Sequence, residues 1–296
     1  MAELPKSSAL LALHIGAHKT GTSHLQRAFY DAKDALAAHP VRFLGPRFFR
    51  GSGREIAHRF DLDGKGEVGT DPKQVLAAIA GDARRLVFSE ENFIGVLRNP
   101  AIHDLGHPYP LAPDRVSAFA KAVGEKVDLF LGIRHPTGYW NSAYCQLLLG
   151  GKAMPPSRFM QICPVSLIDW AGLVTRLRRV DGVGQITVWR YEDYPAVFDQ
   201  VTAAMVGAEA ARCLNPHANR LNMRMSAKAV DALLTGTDGL TGAQLRRFFP
   251  SGETFPAFDA FGADDHAVAD AAYDRQCQQI DRIEGVTLLR PVASRP

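Results

Sequence analysis

A continuous apolar run, Leu10–Ile15, ends at Gly16-Ala17-His18-Lys19-Thr20-Gly21, and a helical pattern begins at Thr22. No other stretch constrains the fold as tightly. A strand without polar alternation is buried on both faces, so its sheet must be covered on either side. A glycine loop between strand and helix gathers backbone N–H groups and the positive helix end around one point, which suits an anion. Lys19 adds a full charge there, and Thr20, Thr22 and Ser23 add hydroxyls. The nucleotide-kinase form of such a loop, GxxxxGK[ST], places its lysine after the second glycine. Here Lys19 precedes Gly21, the wrong register for a triphosphate.

The rest of the chain alternates in the same way. Val41–Leu44, Arg85–Ser89, Val127–Ile133 and Gln185–Arg190 read as further strands. Between them lie helical patterns over Thr22–Ala37, with Leu25, Ala28, Phe29 and Leu36 on one side, and over Asp114–Val123, Pro136–Leu149 and Leu167–Val180. Thr70–Ala80 is also helical, with Asp71 as its cap and Pro72 in its first turn. Beyond residue 226 the pattern is mainly helical through Ala263–Ile283, with a short Val286–Leu289 run near the end. Neither an internal repeat nor a Gly-, Ser- or Pro-rich linker divides residues 1–296. The expectation is one three-layer α/β domain, with a mainly parallel five-stranded sheet and a helical C-terminal part over 226–296. Ligands of such sheets bind at the carboxyl ends of the strands.

Composition narrows the class. Of 296 residues, 46% are hydrophobic and 22% charged, the balance of a globular chain. A net charge of +3 is too mild to argue for a nucleic-acid partner. Nowhere does an apolar run reach the ~20 residues of a membrane span. The N-terminal apolar run flows into the glycine loop and so reads as a first strand, not a signal peptide, giving a cytoplasmic expectation. Cys145, Cys163, Cys213 and Cys277 are widely separated and form no CxxC pair, which argues for free thiols and against a zinc site.

Two further strand ends carry chemistry. The fourth strand runs into Arg134-His135-Pro136, with Ser142 in the second turn of the helix that follows. A guanidinium fork beside a hydroxyl suits an isolated phosphate. The fifth strand ends in Tyr191-Glu192-Asp193, and a later basic stretch, holding Arg220 and Arg224, precedes a helix capped by Ser226.

In this order and at these strand ends, the chain resembles the bacterial-type sulfotransferases, which use 3′-phosphoadenosine 5′-phosphosulfate (PAPS). Lys19-Thr20-Gly21-Thr22-Ser23 matches the family's Lys-[Ser/Thr]-Gly-Thr-[Thr/Ser] loop at every position. Arg134, Pro136 and Ser142 match its Arg-x-Pro with a serine eight positions after the arginine. The resemblance spans roughly residues 10–230 and implies a sulfotransferase fold of P-loop-like type. It implies that Lys19, Thr20, Gly21, Thr22 and Ser23 hold the 5′-phosphosulfate, while Arg134 and Ser142 grip the 3′-phosphate. Tyr191 would stack on or border the adenine, with Glu192 and Asp193 organising the loop. Arg220 or Arg224 would close over the 3′-phosphate or belong to a solvated basic loop, because the family's Arg-Lys-Gly form is missing. The implied reaction moves a sulfonate group in line to a hydroxyl or amine of a small-molecule or carbohydrate acceptor, with no metal required.

Lys19 is the natural stabiliser of the leaving oxygen. For the base, the third strand ends in Ser89-Glu90-Glu91-Asn92, and bacterial relatives often show Ser-x-Glu there. Glu91 is the first choice and Glu90 the second. Adjacent carboxylates on an extended segment point opposite ways, so one should enter the cleft, its pKa raised by partial burial. His18 is a rival base, or a loop residue contacting phosphate or backbone. Glu90 could instead close a Walker-B-like strand of an NTPase. His103 and His107 have i, i+4 spacing around Asp104, but Pro108 and Pro110 follow at once and no metal site is expected. Two long irregular stretches, Phe93–Pro113 and Gly150–Pro164, are expected to form the acceptor pocket, lined by Phe93, Tyr109, Phe159 and Met160. A P-loop small-molecule kinase or NTPase, and a non-catalytic nucleotide-binding relative, are the alternative readings.

Overall fold

The computed structural model describes residues 11–50, 56, 60, 62, 71–95, 108–218, 224–236 and 239–292. Its centre is strand β1 (Leu11–Gly16), buried along its whole length. Alternate residues of β1 serve opposite faces, as a pleat requires. Leu11, Leu13 and Ile15 join one apolar cluster, with Leu86, Phe88, Leu129 and Leu131. Ala12 joins the other, with Val87, Phe130 and the first helix's Leu25 and Phe29. The three-layer α/β expectation therefore holds.

Six strands form the sheet in the order β2-β3-β1-β4-β5-β6, every pairing parallel. Here β2 is Val41–Leu44, β3 Arg85–Ser89, β4 Val127–Ile133, β5 Val183–Arg190 and β6 Val286–Leu289. The five-stranded expectation is thus one strand short. Val286–Leu289, beyond the long C-terminal helix, joins the sheet by pairing with β5, distant in sequence, in the register Ile186↔Val286. Because β1 lies between β3 and β4, the strand order reverses at its carboxyl end. A crevice for ligands opens at such a point.

Helix α1 (Thr22–Asp31) stops at Ala32, and a short α2 (Lys33–Leu36) follows, where one helix to Ala37 was expected. The stripe conceals this break, since Leu36 lies two turns beyond Phe29. Helix α3 is Pro46–Arg50, and α4 (Pro72–Ala80) is capped by Asp71, whose carboxylate accepts from the Lys73 N–H. Helices α5 (Ala112–Val123) and α6 (Pro136–Leu149) flank β4 in sequence. The stretch Gly150–Pro164 is not wholly irregular, because it contains α7 (Pro156–Ile162). Helix α8 (Trp170–Arg178) is capped by Asp169, and α9 (Tyr194–Val206) and α10 (Ala208–Ala211) follow β5. The C-terminal part holds α11 (Ala227–Thr235), α12 (Gly242–Phe248) and α13 (Ala263–Asp281), with Ser226 capping α11 as expected.

All four cysteines are free, three of them buried and Cys213 partly exposed. No helix among the described residues is long and apolar enough to cross a membrane. His103, Asp104 and His107 lie outside the described residues.

Candidate active site

The β1–α1 loop is held in shape by its own backbone. Gly16 has φ 98°, and a Cβ there would stand 3.2 Å from Glu91 Cβ. Gly21 (φ 87°) caps α1, faced by the Tyr191 and Tyr194 rings. Between them Lys19 adopts φ 63°, a left-handed conformation uncommon for a side chain of its size. The Ala17 N–H donates to the Gly132 carbonyl of β4 at 2.8 Å, pinning the start of the loop to that strand. The two threonines differ. Thr20 is buried and donates its hydroxyl inward to the Ala17 carbonyl at 2.6 Å. Thr22 is also buried, but among the described residues its hydroxyl has no partner. Ser23 is exposed on the first turn of α1.

Lys19 extends to α6, where its Nζ donates to Gln146 Oε1 at 3.3 Å. Burial lowers the pKa of this ammonium, and Arg134 and Arg246 lower it further. Arg134, just past the end of β4, donates from Nη1 to the Lys19 carbonyl at 2.7 Å. Its guanidinium lies 4.2 Å from the Tyr191 ring centroid. The side chain runs over the first turn of α6, where a Cβ on Gly138 would meet Arg134 Nε at 3.3 Å. Ser142 is one turn further along that helix, and is buried. Burial pulls the Arg134 pKa down, and Arg224 contributes in the same direction. Glu192 organises the neighbourhood, accepting from the His135 N–H at 2.9 Å and from the Tyr273 hydroxyl at 3.0 Å. Asp193 pairs with Arg190 at 3.5 Å. Arg220 lies outside the described residues.

Lys19, Arg134, Arg224 and Arg246 thus share one region, and among the described residues none has a carboxylate at ion-pair distance. Elsewhere in the molecule arginines find such partners, as Arg85 does in Asp128.

The acidic wall is less simple than the sequence suggests. Glu90 continues the extended chain (φ −153°, ψ 101°), but Glu91 opens a 3-10 helix, Glu91–Ile94. That change of direction cancels the strand's alternation, so the two carboxylates converge on one guanidinium. Arg50 at the end of α3 binds Glu90 through two nitrogens, and its Nη2 also lies 3.3 Å from Glu91 Oε1. Glu90 is almost wholly buried, accepts the Asn92 N–H and is thereby structural. Glu91 keeps 18% of its side chain exposed. Burial alone would raise its pKa, but its own backbone N–H, Arg50, His18 and Gln26 together hold it below the usual glutamate value. This reverses the expected upward shift.

His18 is a brace. Its Nε2 meets Asn92 Oδ1 at 3.1 Å and its Nδ1 meets the Tyr109 hydroxyl at 3.0 Å, which in turn contacts the Tyr139 hydroxyl at 3.1 Å. With a carbonyl oxygen facing Nε2, the proton sits there and Nδ1 accepts. Burial lowers the His18 pKa, so the ring stays neutral and both nitrogens are engaged. Phe93, Tyr109 and Phe159 do not line a pocket but lie in the core, Phe159 between Trp140 and Tyr144. Of the four expected lining residues, only Met160 is partly exposed.

No protein-family model, curated protein or solved structure matches the chain.

The geometry itself brings together the β1–α1 loop, the Arg134 turn, Tyr191 and Glu91 around one crevice. Such a place can hold a ligand with several negative charges and present a carboxylate beside it. Sequence reasoning missed Arg246, Gln146, Arg50 and Gln26. Arg246 is followed by Arg247 on a short helix and reads as a solvated charge pair, and Arg50 takes its meaning only from folding back to β3.

Proposed function

We propose that the protein is a PAPS-dependent sulfotransferase. One observation carries this reading: Arg134 ties together the three segments of the resemblance, donating to the Lys19 carbonyl while lying over the Tyr191 ring. The donor's chemistry fits the residues present. Among the described residues, four cations without carboxylate partners and a buried Thr22 hydroxyl without a partner call for an anion rich in acceptors.

PAPS supplies an activated sulfonate with a phosphate leaving group. The start of α1, with Thr22, would hold its 5′-phosphate, and Arg134, Arg224 and Ser142 its 3′-phosphate. Lys19 offsets negative charge on the leaving oxygen, and its lowered pKa brings it closer to donating a proton there. Tyr191 carries the Arg134 guanidinium on its face and borders the nucleotide. Glu91, ionised at neutral pH, accepts the hydrogen bond of the acceptor hydroxyl. A weakly basic carboxylate suffices, because that proton acidifies as the hydroxyl oxygen bonds to sulfur. The acceptor is a small molecule or carbohydrate bearing a hydroxyl or amine. The kinase alternative is weakened by Glu90, which Arg50 occupies from two nitrogens.

Calorimetric titration with adenosine 3′,5′-bisphosphate, beside ATP–Mg²⁺, tests the reading. Binding of the bisphosphate, weakened at least tenfold by Arg134→Ala, is the expected result, the loss of a charged hydrogen-bonded contact amounting to about 1.5–3 kcal/mol. Binding of ATP–Mg²⁺ alone would overturn it.

A further inference from the structure

Behind Glu91 lies a group of buried polar side chains to which the proposed chemistry assigns no role. Gln26, on the inner side of α1, is buried and points its amide nitrogen at two oxygens. Gln26 Nε2 donates to Glu91 Oε2 at 3.2 Å and to Ser89 Oγ at 3.1 Å. A carboxylate only accepts, so the nitrogen end of the amide must face Glu91, and its two hydrogens serve the two oxygens. Ser89 Oγ is in turn 2.8 Å from Nδ1 of His14, in the middle of β1.

Ser89 receives a hydrogen from Gln26, and among the described residues the acceptor for its own proton is His14 Nδ1. His14 is therefore the Nε2–H form. Among the described residues that buried Nε2 has no partner, its ring tilted against Trp189 at 5.6 Å between centroids. Within the described residues the chain thus ends at His14 and shows no route for a proton to solvent. It orients.

We propose that Gln26 is a positioning residue that fixes the Glu91 carboxylate toward the acceptor, anchored from behind by Ser89 and His14; this rests on the sulfotransferase reading. Glu91 has two oxygens, and each is claimed from a different side. Arg50 approaches Oε1 from α3, and Gln26 holds Oε2 from α1. Fixed at both, the carboxylate does not rotate when an acceptor hydroxyl arrives. The charged and titratable groups facing it are Arg50, Glu90, His18 and Lys19, with His14 and Tyr109 further behind. Arg50 is spent on Glu90 and Glu91 Oε1, His18 on Asn92 and Tyr109, and Lys19 on Gln146, which leaves Oε2 to the Gln26 amide.

The test uses the whole protein and its Gln26→Leu variant, with water as acceptor in slow PAPS hydrolysis. Three readouts are compared: the NMR titration of the Glu91 carboxyl, kcat for hydrolysis, and affinity for adenosine 3′,5′-bisphosphate. In Gln26→Leu the Glu91 midpoint should rise by about one pH unit and kcat fall about tenfold, with bisphosphate affinity within about twofold of wild type. An unchanged Glu91 midpoint overturns the proposal, as does an affinity loss that matches the loss of rate. Should Gln26→Leu fold poorly, Ser89→Ala keeps the amide but removes its anchor, and a smaller upward shift of Glu91 is expected; no shift overturns the proposal. A wild-type protein that neither binds the bisphosphate nor hydrolyses PAPS ends the sulfotransferase reading, while the Glu91 titration still decides whether Gln26 holds that carboxylate.

Discussion

The Thr20 hydroxyl donates to the Ala17 carbonyl, whereas that of Thr22, two positions on, is buried with no partner among the described residues. Their valine variants should therefore diverge. Thr20→Val leaves a buried carbonyl unpaired and should destabilise the fold by about 1–3 kcal/mol in urea denaturation. Thr22→Val removes a hydroxyl that no described residue satisfies, so stability should hold, while bisphosphate affinity in calorimetry falls about tenfold. The sequence presents both residues equally as hydroxyl donors in one loop. Which of them faces inward depends on the left-handed turn at Lys19, which no neighbouring residue type announces. Glu91 shows the same limit. Its place beside the cleft is legible from the strand end, but the sign of its pKa shift is not, because Arg50 arrives from a distant helix. With that pKa depressed, Glu91 is ionised throughout the range above the ordinary glutamate value of about 4.3. The acid limb of PAPS hydrolysis should accordingly fall below that pH, and Glu91→Gln should lower kcat by roughly 10²–10⁴.

At the scale of elements, the sheet separates stabilising chemistry from the site. Asp128, in the second position of β4, pairs with Arg85 at 3.0 Å and accepts the Gln185 N–H at 3.0 Å. This buried pair belongs to the amino ends of the strands, away from the crevice. Arg85→Met should cost about 3–5 kcal/mol in urea denaturation, by taking the guanidinium away from a buried carboxylate, with bisphosphate affinity retained in what folds. A second device joins the C-terminal part to the Arg134 turn. Thr137 Oγ1 lies 3.0 Å from Nδ1 of both His135 and His266, and Tyr273 reaches Glu192. Thr137→Val should loosen α13, seen as faster amide exchange over residues 263–281, by about 1 kcal/mol. Caps and apolar stripes made most helices readable in sequence, among them α4 with Asp71 and α11 with Ser226. Helix α7 escaped notice because its core contact, Phe159 against Trp140, belongs to a different element.

For the molecule as a whole, two buried imidazoles set the response to acid. Burial lowers the pKa of His14 to about 4, although nearby Glu91 pulls it upward, and burial also lowers that of His18. Unfolded histidine takes up its proton near pH 6.5, so between there and pH 4 the unfolded chain binds protons that the folded protein does not. Stability should fall across that window, by up to about 3 kcal/mol from His14 alone. Urea denaturation at pH 7 and pH 4.5 checks this, and His14→Gln should flatten the dependence. Parallel strands, and the loops that follow their carboxyl ends, were legible from the unbroken apolar runs. The order β2-β3-β1-β4-β5-β6 was not, because it is decided by pairings between segments tens of residues apart.

That order has one further consequence. With β1 beside β4, the Arg134 guanidinium rests on the carbonyl of Lys19, so the two phosphate grips proposed above would be halves of a single jaw. Re-engineering the protein for a nucleotide with its phosphates differently spaced would mean rebuilding both halves together. A library randomised in the glycine loop alone should return variants that have lost the arginine's grip as well.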